Sequence, residues 1–392
     1  MTSATPGSLP GSALDLLTGD AQVFCEKAWA SRVHLHRTDP ALLTRFLGFD
    51  DVDHLLTETA FRAPAIRMAR DGRVLPESAY TRAASLAGRP LSGLVDPRKV
   101  AAEFDAGASI VLQGLHRYWP PLADLVRRLE LELGHPCQAN AYLTPPGSQG
   151  FAVHSDTHDV FVFQTAGRKQ WEVHDASAAD GAGRTDVVLE PGVAMYLPTG
   201  TPHAARAQES ASLHVTVGVN QVTWRDLVRR CVDPLLREVD TGPLPAGYLQ
   251  DPGALRGGLA ERLEALAERV RGLDADDLVA AEVDRVLTTR SPDQRGLLLA
   301  RLAAVTIDDD TLLVRDVARP CVLRRAAEPD RVRLLLGDRV LTLPSWVSPA
   351  LEVVADRAHL RPGDLADHLD PESRLVLCRR LVREGLLRPR AT

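Results

Sequence analysis

The stretch that decides the fold runs over residues 137–174, CQANAYLTPPGSQGFAVHSDTHDVFVFQTAGRKQWEVH. The runs QANAYL, DVFVFQ and KQWEVH are short and rich in Val, Phe, Tyr and Trp, and TPPGSQG and the Ala166–Gly167 pair break them apart. β-Branched and aromatic side chains suit a pleated surface, whereas Pro and Gly set the dihedrals of turns. The texture persists to residue 220 through VVLEPG, AMYLP, TGTPHAA and SLHVTVGVN, with a Gly/Asp/Ala-rich loop after WEVH. Short strands at regular spacing with turn signals between them predict an antiparallel sandwich or barrel.

On either side the pattern changes. Towards the N-terminus, Asp39 and Pro40 predict a capped helix over 39–47, ASIVLQ a strand over 108–113, and YWPPLADLVRRLELEL an amphipathic helix over 118–133. Beyond residue 220 the strands stop. Residues 224–239 and 254–290 repeat Leu and Val at helical spacing with charges between them, which suits packing in a helical subdomain. From Pro292 a third texture begins. Helical LLLARLAAV leads to a hairpin candidate around Gly337–Asp338, VRLLL-GD-RVLTLP, followed by helices near 349–357 and 372–384. The expected fold class is therefore α+β. A double-stranded β-helix of the cupin type occupies 1–222, a helical region 223–291, and a winged-helix-like domain 292–392.

Composition narrows the function classes. The chain has 392 residues, 45% of them hydrophobic and 25% charged, with a net charge of −6. That balance is close to the average for soluble globular proteins, and it offers no global attraction for nucleic acid or an anionic membrane. Cys25, Cys137, Cys231, Cys321 and Cys378 are scattered and form no C-x-x-C pair, so neither a disulfide framework nor a zinc knuckle is indicated. The Ser/Pro/Gly-rich start lacks the basic and apolar parts of a signal peptide, and the expected location is cytoplasmic. Arg374, Arg379, Arg380 and Arg383 form a basic stretch on the last helix, which reads as a solvated face rather than a nucleic-acid surface.

The chemistry begins with His154-x-Asp156. On a strand, positions i and i+2 share a face, so an imidazole and a carboxylate can converge on one ion. His203, after the Pro/Gly turn of LPTGTPHAA, can bring a third ligand across the barrel. Two histidines and one carboxylate leave three open positions, as a non-haem iron oxygenase needs, whereas a structural zinc site fills four. His158 lies on the His154 face by alternation and is a rival ligand; His174 also competes, and His214 suits a core position on SLHVTV. Lys169 follows the Ala166–Gly167 turn, where a returning strand can carry it into the barrel. Only Lys27 and Lys99 share its type in a chain dominated by arginine. Arg168 reads as a solvated turn residue, and Trp171 and Phe161 as core.

Residues 140–174, with TPPGSQG, H-x-D-x-x-D-V-F and G-R-K-x-W followed by P-x-x-x-P-H, resemble the JmjC-type ribosomal oxygenases of bacteria and eukaryotes. The resemblance is strongest over 140–220. It implies Fe(II) held by His154, Asp156 and His203, with 2-oxoglutarate and O₂ as co-substrates and no catalytic side chain beyond the metal centre. It assigns the 5-carboxylate of 2-oxoglutarate to Lys169 with help from the Tyr142 hydroxyl, and Asn140 shares the Tyr142 face. It further implies a homodimer through the helical region, a C-terminal winged helix, and a protein substrate, with histidine or arginine of a ribosomal protein as first guesses. Other readings stay open: a metal cupin enzyme without 2-oxoglutarate, a binding scaffold, demethylation, or an oxygenase acting on a small molecule or peptide natural product.

Overall fold

The computed structural model describes residues 11–148, 152–174, 183–207, 209–292, 296–316 and 319–390. The end of the TPPGSQGF turn (149–151) and most of the Gly/Asp/Ala loop (175–182) lie outside the described residues. The chain divides into two units, Met1–Gln221 and Val222–Thr392.

In the first unit, the N-terminal part supplies β1 (His34–Arg37), β2 (Ile66–Arg70), β3 (Arg73–Val74), β4 (Thr81–Leu86), β5 (Arg89–Val95) and β6 (Ser109–Leu112). The central stretch supplies β7 (Cys137–Thr144), β8 (Asp159–Ala166), β9 (Lys169–His174) and β10 (Arg184–Leu189). It continues with β11 (Val193–Leu197), β12 (His203–Ala207) and β13 (Ser212–Val219). An eight-stranded antiparallel sheet runs β1-β11-β8-β13-β7-β6-β2-β3, and a three-stranded one runs β10-β9-β12. β4 and β5 pair separately.

β8 shows why this sequence makes a layered structure. Its residues are buried on both faces, and successive side chains alternate between them. Val160 and Val162 pack with Trp171, Val173, Leu189 and Met195, so they meet the smaller sheet. Phe161 and Phe163 pack with Phe24, Phe46, Leu125 and Leu129, in the layer of helices on the other side. One of those helices, Pro120–Leu133, has prolines in its first turn, buries Leu122, Leu125, Val126 and Leu129, and ends at Gly134 in the left-handed region. This is the amphipathic helix that the sequence predicts, starting two residues later, because Pro at the first helical position leaves Trp119 as its N-cap. The β8–β9 turn needs Gly167 for two reasons: its φ is +65°, and a Cβ there would sit 1.9 Å from the Ala211 carbonyl oxygen.

In the second unit the expected long helical stretch is two helices, Pro252–Arg271 and Ala275–Val286. Gly272 closes the first, and the Asp274 side chain caps the second by accepting from the amides of Asp276 and Asp277. The expected hairpin is present as Arg331–Leu335 paired with Val340–Pro344. Helices Ser348–Asp356 and Pro371–Arg383 follow, around a core that includes Leu334, Leu351, Leu365, Leu381 and Leu387. On the last helix, Arg374 pairs with Asp309, Arg379 donates to the Ile307 carbonyl, and Arg380 pairs with Glu384. These contacts commit three of its four arginines to neighbours. Among the described residues no helix is long and apolar enough to cross a membrane.

Candidate metal centre and its cavity

His154, Asp156 and His203 come together between the two sheets, with one ligand atom from each lying within 4.8 Å of the others. Backbone pairing sets this spacing. The His154 amide donates to the His203 carbonyl at 3.0 Å, and the His203 amide returns a bond to His154 at 2.8 Å. The turn before His203 is also pinned, since the Gly200 amide donates to the Asp156 carbonyl at 3.0 Å. A second anchor is the fully buried Asp159, whose carboxylate accepts from the Thr199 amide (2.8 Å), the Thr199 hydroxyl (2.7 Å), Gln221 (2.8 Å) and the Tyr196 hydroxyl. The motif H-x-D-x-x-D thus holds two candidate ligands and one structural carboxylate.

Both imidazoles have a fixed role. Nδ1 of His154 hydrogen-bonds the Ala152 carbonyl and Nδ1 of His203 the Thr201 carbonyl, each at 2.9 Å. A carbonyl only accepts, so each Nδ1 carries the proton and each Nε2 keeps its lone pair. Those Nε2 atoms lie 4.0 and 3.7 Å from the Asp156 oxygens. Burial lowers the His203 pKa, outweighing the hydrogen bond to Thr201, which favours the neutral imidazole that binds metal. The donor set is two nitrogens and a carboxylate on one side of a cavity, and it fits an ion with open positions.

The rival histidines are elsewhere. His158 packs against the backbone of β13, with Nε2 2.5 Å from where a Gly218 Cβ would stand. His174 bonds Glu172 at 2.9 Å. Neither joins the cluster.

Lys169 lines the same cavity as the cluster. The side chains of His154 and Asp156 are 44% and 31% exposed, whereas His203 and Lys169 are 4% and 3% exposed, so the cluster faces the mouth on its His154–Asp156 side and the lysine lies in the depth. Nζ donates to Thr144 Oγ1 at 2.9 Å, and Ser109 donates to the same oxygen at 3.1 Å. Burial lowers the Lys169 pKa to about 7. Tyr142 also lines the cavity, two residues before Thr144 on β7. Burial raises its pKa, an effect that the Arg67 guanidinium, hydrogen-bonded to its hydroxyl, partly offsets. Asn140, on the same face, is absent from the lining and accepts from the Gly114 amide at 2.9 Å. Arg168 is exposed and pairs with Glu190 at 2.9 Å.

Several lining residues escaped the sequence reading. Thr144 follows Tyr142 by simple alternation and was accessible to it. Trp171 and His214 are buried as expected, but both face the cavity rather than closed core. Ala69 and Gly72, from the β2–β3 hairpin, line it as well, and no motif marks them.

The JmjC domain family matches residues 122–227. Ribosomal oxygenase 1 of Danio rerio is 30% identical over 216 residues, covering 48% of this chain and 40% of that protein. The bifunctional lysine-specific demethylase and histidyl-hydroxylase NO66 of Branchiostoma floridae is 35% identical over 191 residues, covering 46% and 30%. The chain thus spans less than half the length of either relative. The crystal structure of Escherichia coli ribosomal oxygenase YcfD matches with a TM-score of 0.53 at 21% identity, over 95% of this chain and 99% of that one. YcfD in complex with cobalt and 2-oxoglutarate matches with a TM-score of 0.52 at 21% identity, over 95% and 98%. At this identity the likeness to YcfD is one of fold.

Proposed function

We propose, from the premise that this chain belongs with the JmjC ribosomal oxygenases, that it is an iron(II)- and 2-oxoglutarate-dependent oxygenase hydroxylating a side chain of a protein substrate. The observation that carries the reading is the His154/Asp156/His203 cluster at the mouth of a cavity whose depth holds the buried Lys169. A metal cupin without a dicarboxylate co-substrate has no use for that lysine.

With iron(II) bound, the chemistry is O₂-dependent decarboxylation of 2-oxoglutarate to succinate and CO₂, coupled to insertion of the other oxygen atom into a substrate C–H bond. The residues divide the remaining work. His154 and His203 present Nε2 lone pairs in fixed tautomers, and Asp156 supplies the charge, leaving three positions free. Lys169 meets the 5-carboxylate with a charge-assisted hydrogen bond, and Thr144 holds the ammonium in place beforehand. Tyr142 accepts from Arg67 and can give its own proton to the same carboxylate. The Val160 and Val162 walls give the cavity an apolar lining that helps to keep water out.

The names of the relatives, a ribosomal oxygenase and a histidyl-hydroxylase, favour a ribosomal protein as substrate with histidine as the modified residue; arginine is the other candidate, and the cytoplasm is the proposed location. The second unit is read as a helical region (223–291) that forms a homodimer and a winged-helix-like domain (292–392). Helices Trp224–Arg237, Pro252–Arg271 and Ala275–Val286 bury no residue fully in the single chain, and Trp224, Val228, Leu259 and Leu263 stand exposed. A second copy would cover them.

The test has two arms. Purified protein with Fe(II), 2-oxoglutarate and O₂ should release succinate, and cellular proteins should carry a one-oxygen mass increase that disappears when the gene is deleted. No succinate above a metal-free control would sink the oxygenase reading. Succinate release without any such adduct would move the substrate away from protein.

A further inference from the structure

His214 and Trp171 have no duty in the mechanism above beyond packing. Both are buried, at 3% and 5% exposure, and both line the cavity beside Lys169. Nδ1 of His214 and Nε1 of Trp171 have no hydrogen-bond partner among the described residues. Buried polar nitrogens are ordinarily satisfied, so two orphans on one cavity wall point to an acceptor that arrives from outside. Among the described residues of the lining, the one carboxylate is Asp156, in the metal cluster, so the wall offers these nitrogens no further charged acceptor.

The register of the sheet places these rings. His214 stands opposite Tyr142 in the β13–β7 pairing, and the two lie flat on each other with centroids 4.9 Å apart and planes 2° from parallel. Trp171 also meets His214 in a T-shaped contact, with centroids 5.3 Å apart and planes at 81°. A half-turn of the imidazole about Cβ–Cγ exchanges Nδ1 with Cδ2 in the same plane, so the nitrogen can face the cavity without disturbing the stack. Burial, and then the charge of Lys169, hold His214 in its neutral form. It therefore offers a donor without adding a second positive charge beside the lysine.

We propose that His214 and Trp171 donate their ring N–H groups to the distal carboxylate of the co-substrate, forming with Lys169 a three-donor cradle that selects 2-oxo dicarboxylic acids over 2-oxo monocarboxylic ones. The inference rests on the oxygenase reading. A lysine alone supplies charge but little direction, whereas two rings fixed by packing define where the carboxylate plane must lie.

The test is calorimetric titration of the full-length, cobalt(II)-loaded protein with two ligands. One is 2-oxoglutarate; the other is 2-oxopentanoate, which keeps the chelating end and chain length but lacks the distal carboxylate. His214→Phe retains a flat ring against Tyr142, and Trp171→Phe retains an aromatic wall; neither retains the N–H. Each variant should bind 2-oxoglutarate about ten- to a hundredfold more weakly, with 2-oxopentanoate within about twofold of wild type. Unchanged 2-oxoglutarate affinity in both variants would overturn the proposal, as would equal weakening of both ligands, which is the signature of packing alone. If His214→Phe does not fold, Trp171→Phe makes the same comparison. Wild-type protein that binds no 2-oxoglutarate removes the oxygenase reading itself and the cradle with it.

Discussion

Raising the pH from about 6 to about 8 should weaken 2-oxoglutarate binding roughly tenfold in the wild-type protein and leave Lys169→Arg almost unmoved. The cause is burial, which lowers the Lys169 pKa to about 7. Only the ammonium pairs with the 5-carboxylate, and that carboxylate is ionised throughout the range, since free carboxyl groups titrate near 4. Roughly nine tenths of the lysine is charged one unit below its pKa and about one tenth one unit above, and apparent affinity follows that fraction. The sign is fixed: binding is strongest on the acid side and declines as pH rises through 7. At the alkaline end, binding must also take up close to one proton. His214 is held neutral and the Tyr142 pKa is raised, so neither changes charge in this window. Arginine stays protonated, so its variant carries no such dependence. The assay is calorimetry at both pH values with saturating cobalt(II), each in two buffers of different ionisation enthalpy, so that proton uptake is counted directly. Parallel pH profiles for wild type and Lys169→Arg would refute the assignment of the titrating group to Lys169.

Three further outcomes are expected. His203→Ala should lose bound metal and 2-oxoglutarate turnover while circular dichroism keeps the fold, and His158→Ala should keep its metal; the reverse pattern would reassign the ligand. Gly167→Ala should destabilise the first unit by about 3–4 kcal/mol or more, because the new Cβ would fall 1.9 Å from the Ala211 oxygen at a φ of +65°. A melting temperature indistinguishable from wild type would contradict that geometry. The homodimer predicts a light-scattering mass of two chains at micromolar concentration, and Trp224→Asp together with Leu263→Asp should shift it to one chain. A wild-type monomer under those conditions would remove the dimer.

Much of the site was legible because it depends on local order. His154 and Asp156 are two apart, and Lys169 and Trp171 share a face of β9 that the Gly167 turn brings back beside β8. Alternation along β8 gave two valines to the cavity and two phenylalanines to the helices. What escaped depends on register between distant strands. That His214 stands opposite Tyr142 is a fact of β13–β7 pairing, and nothing in SLHVTV announces it. Asn140 shows the converse: alternation assigns it to the Tyr142 face, but the chain leaving β6 brings the Gly114 amide within reach and takes its side-chain oxygen. The contribution of Arg67 and Gly72 comes from a hairpin at the far edge of the large sheet, whose approach to the cavity is set by tertiary packing. The break between helices at Gly272–Asp274 was in view as a glycine followed by a cap residue, and helical periodicity on both sides obscured it.

The reciprocal amide bonds between His154 and His203 make the distance between two candidate ligands a property of the main chain. Side chains at those positions can be exchanged without changing that distance, because main-chain bonds are indifferent to what the residues carry. The scaffold is therefore a socket that outlives its contents. Descendants of this fold can lose a candidate metal ligand through one substitution and still fold, and a redesign can install a different donor at 154, 156 or 203 without moving a strand. The place where such a chain is most tolerant of new side chains is the place where its present chemistry is least so.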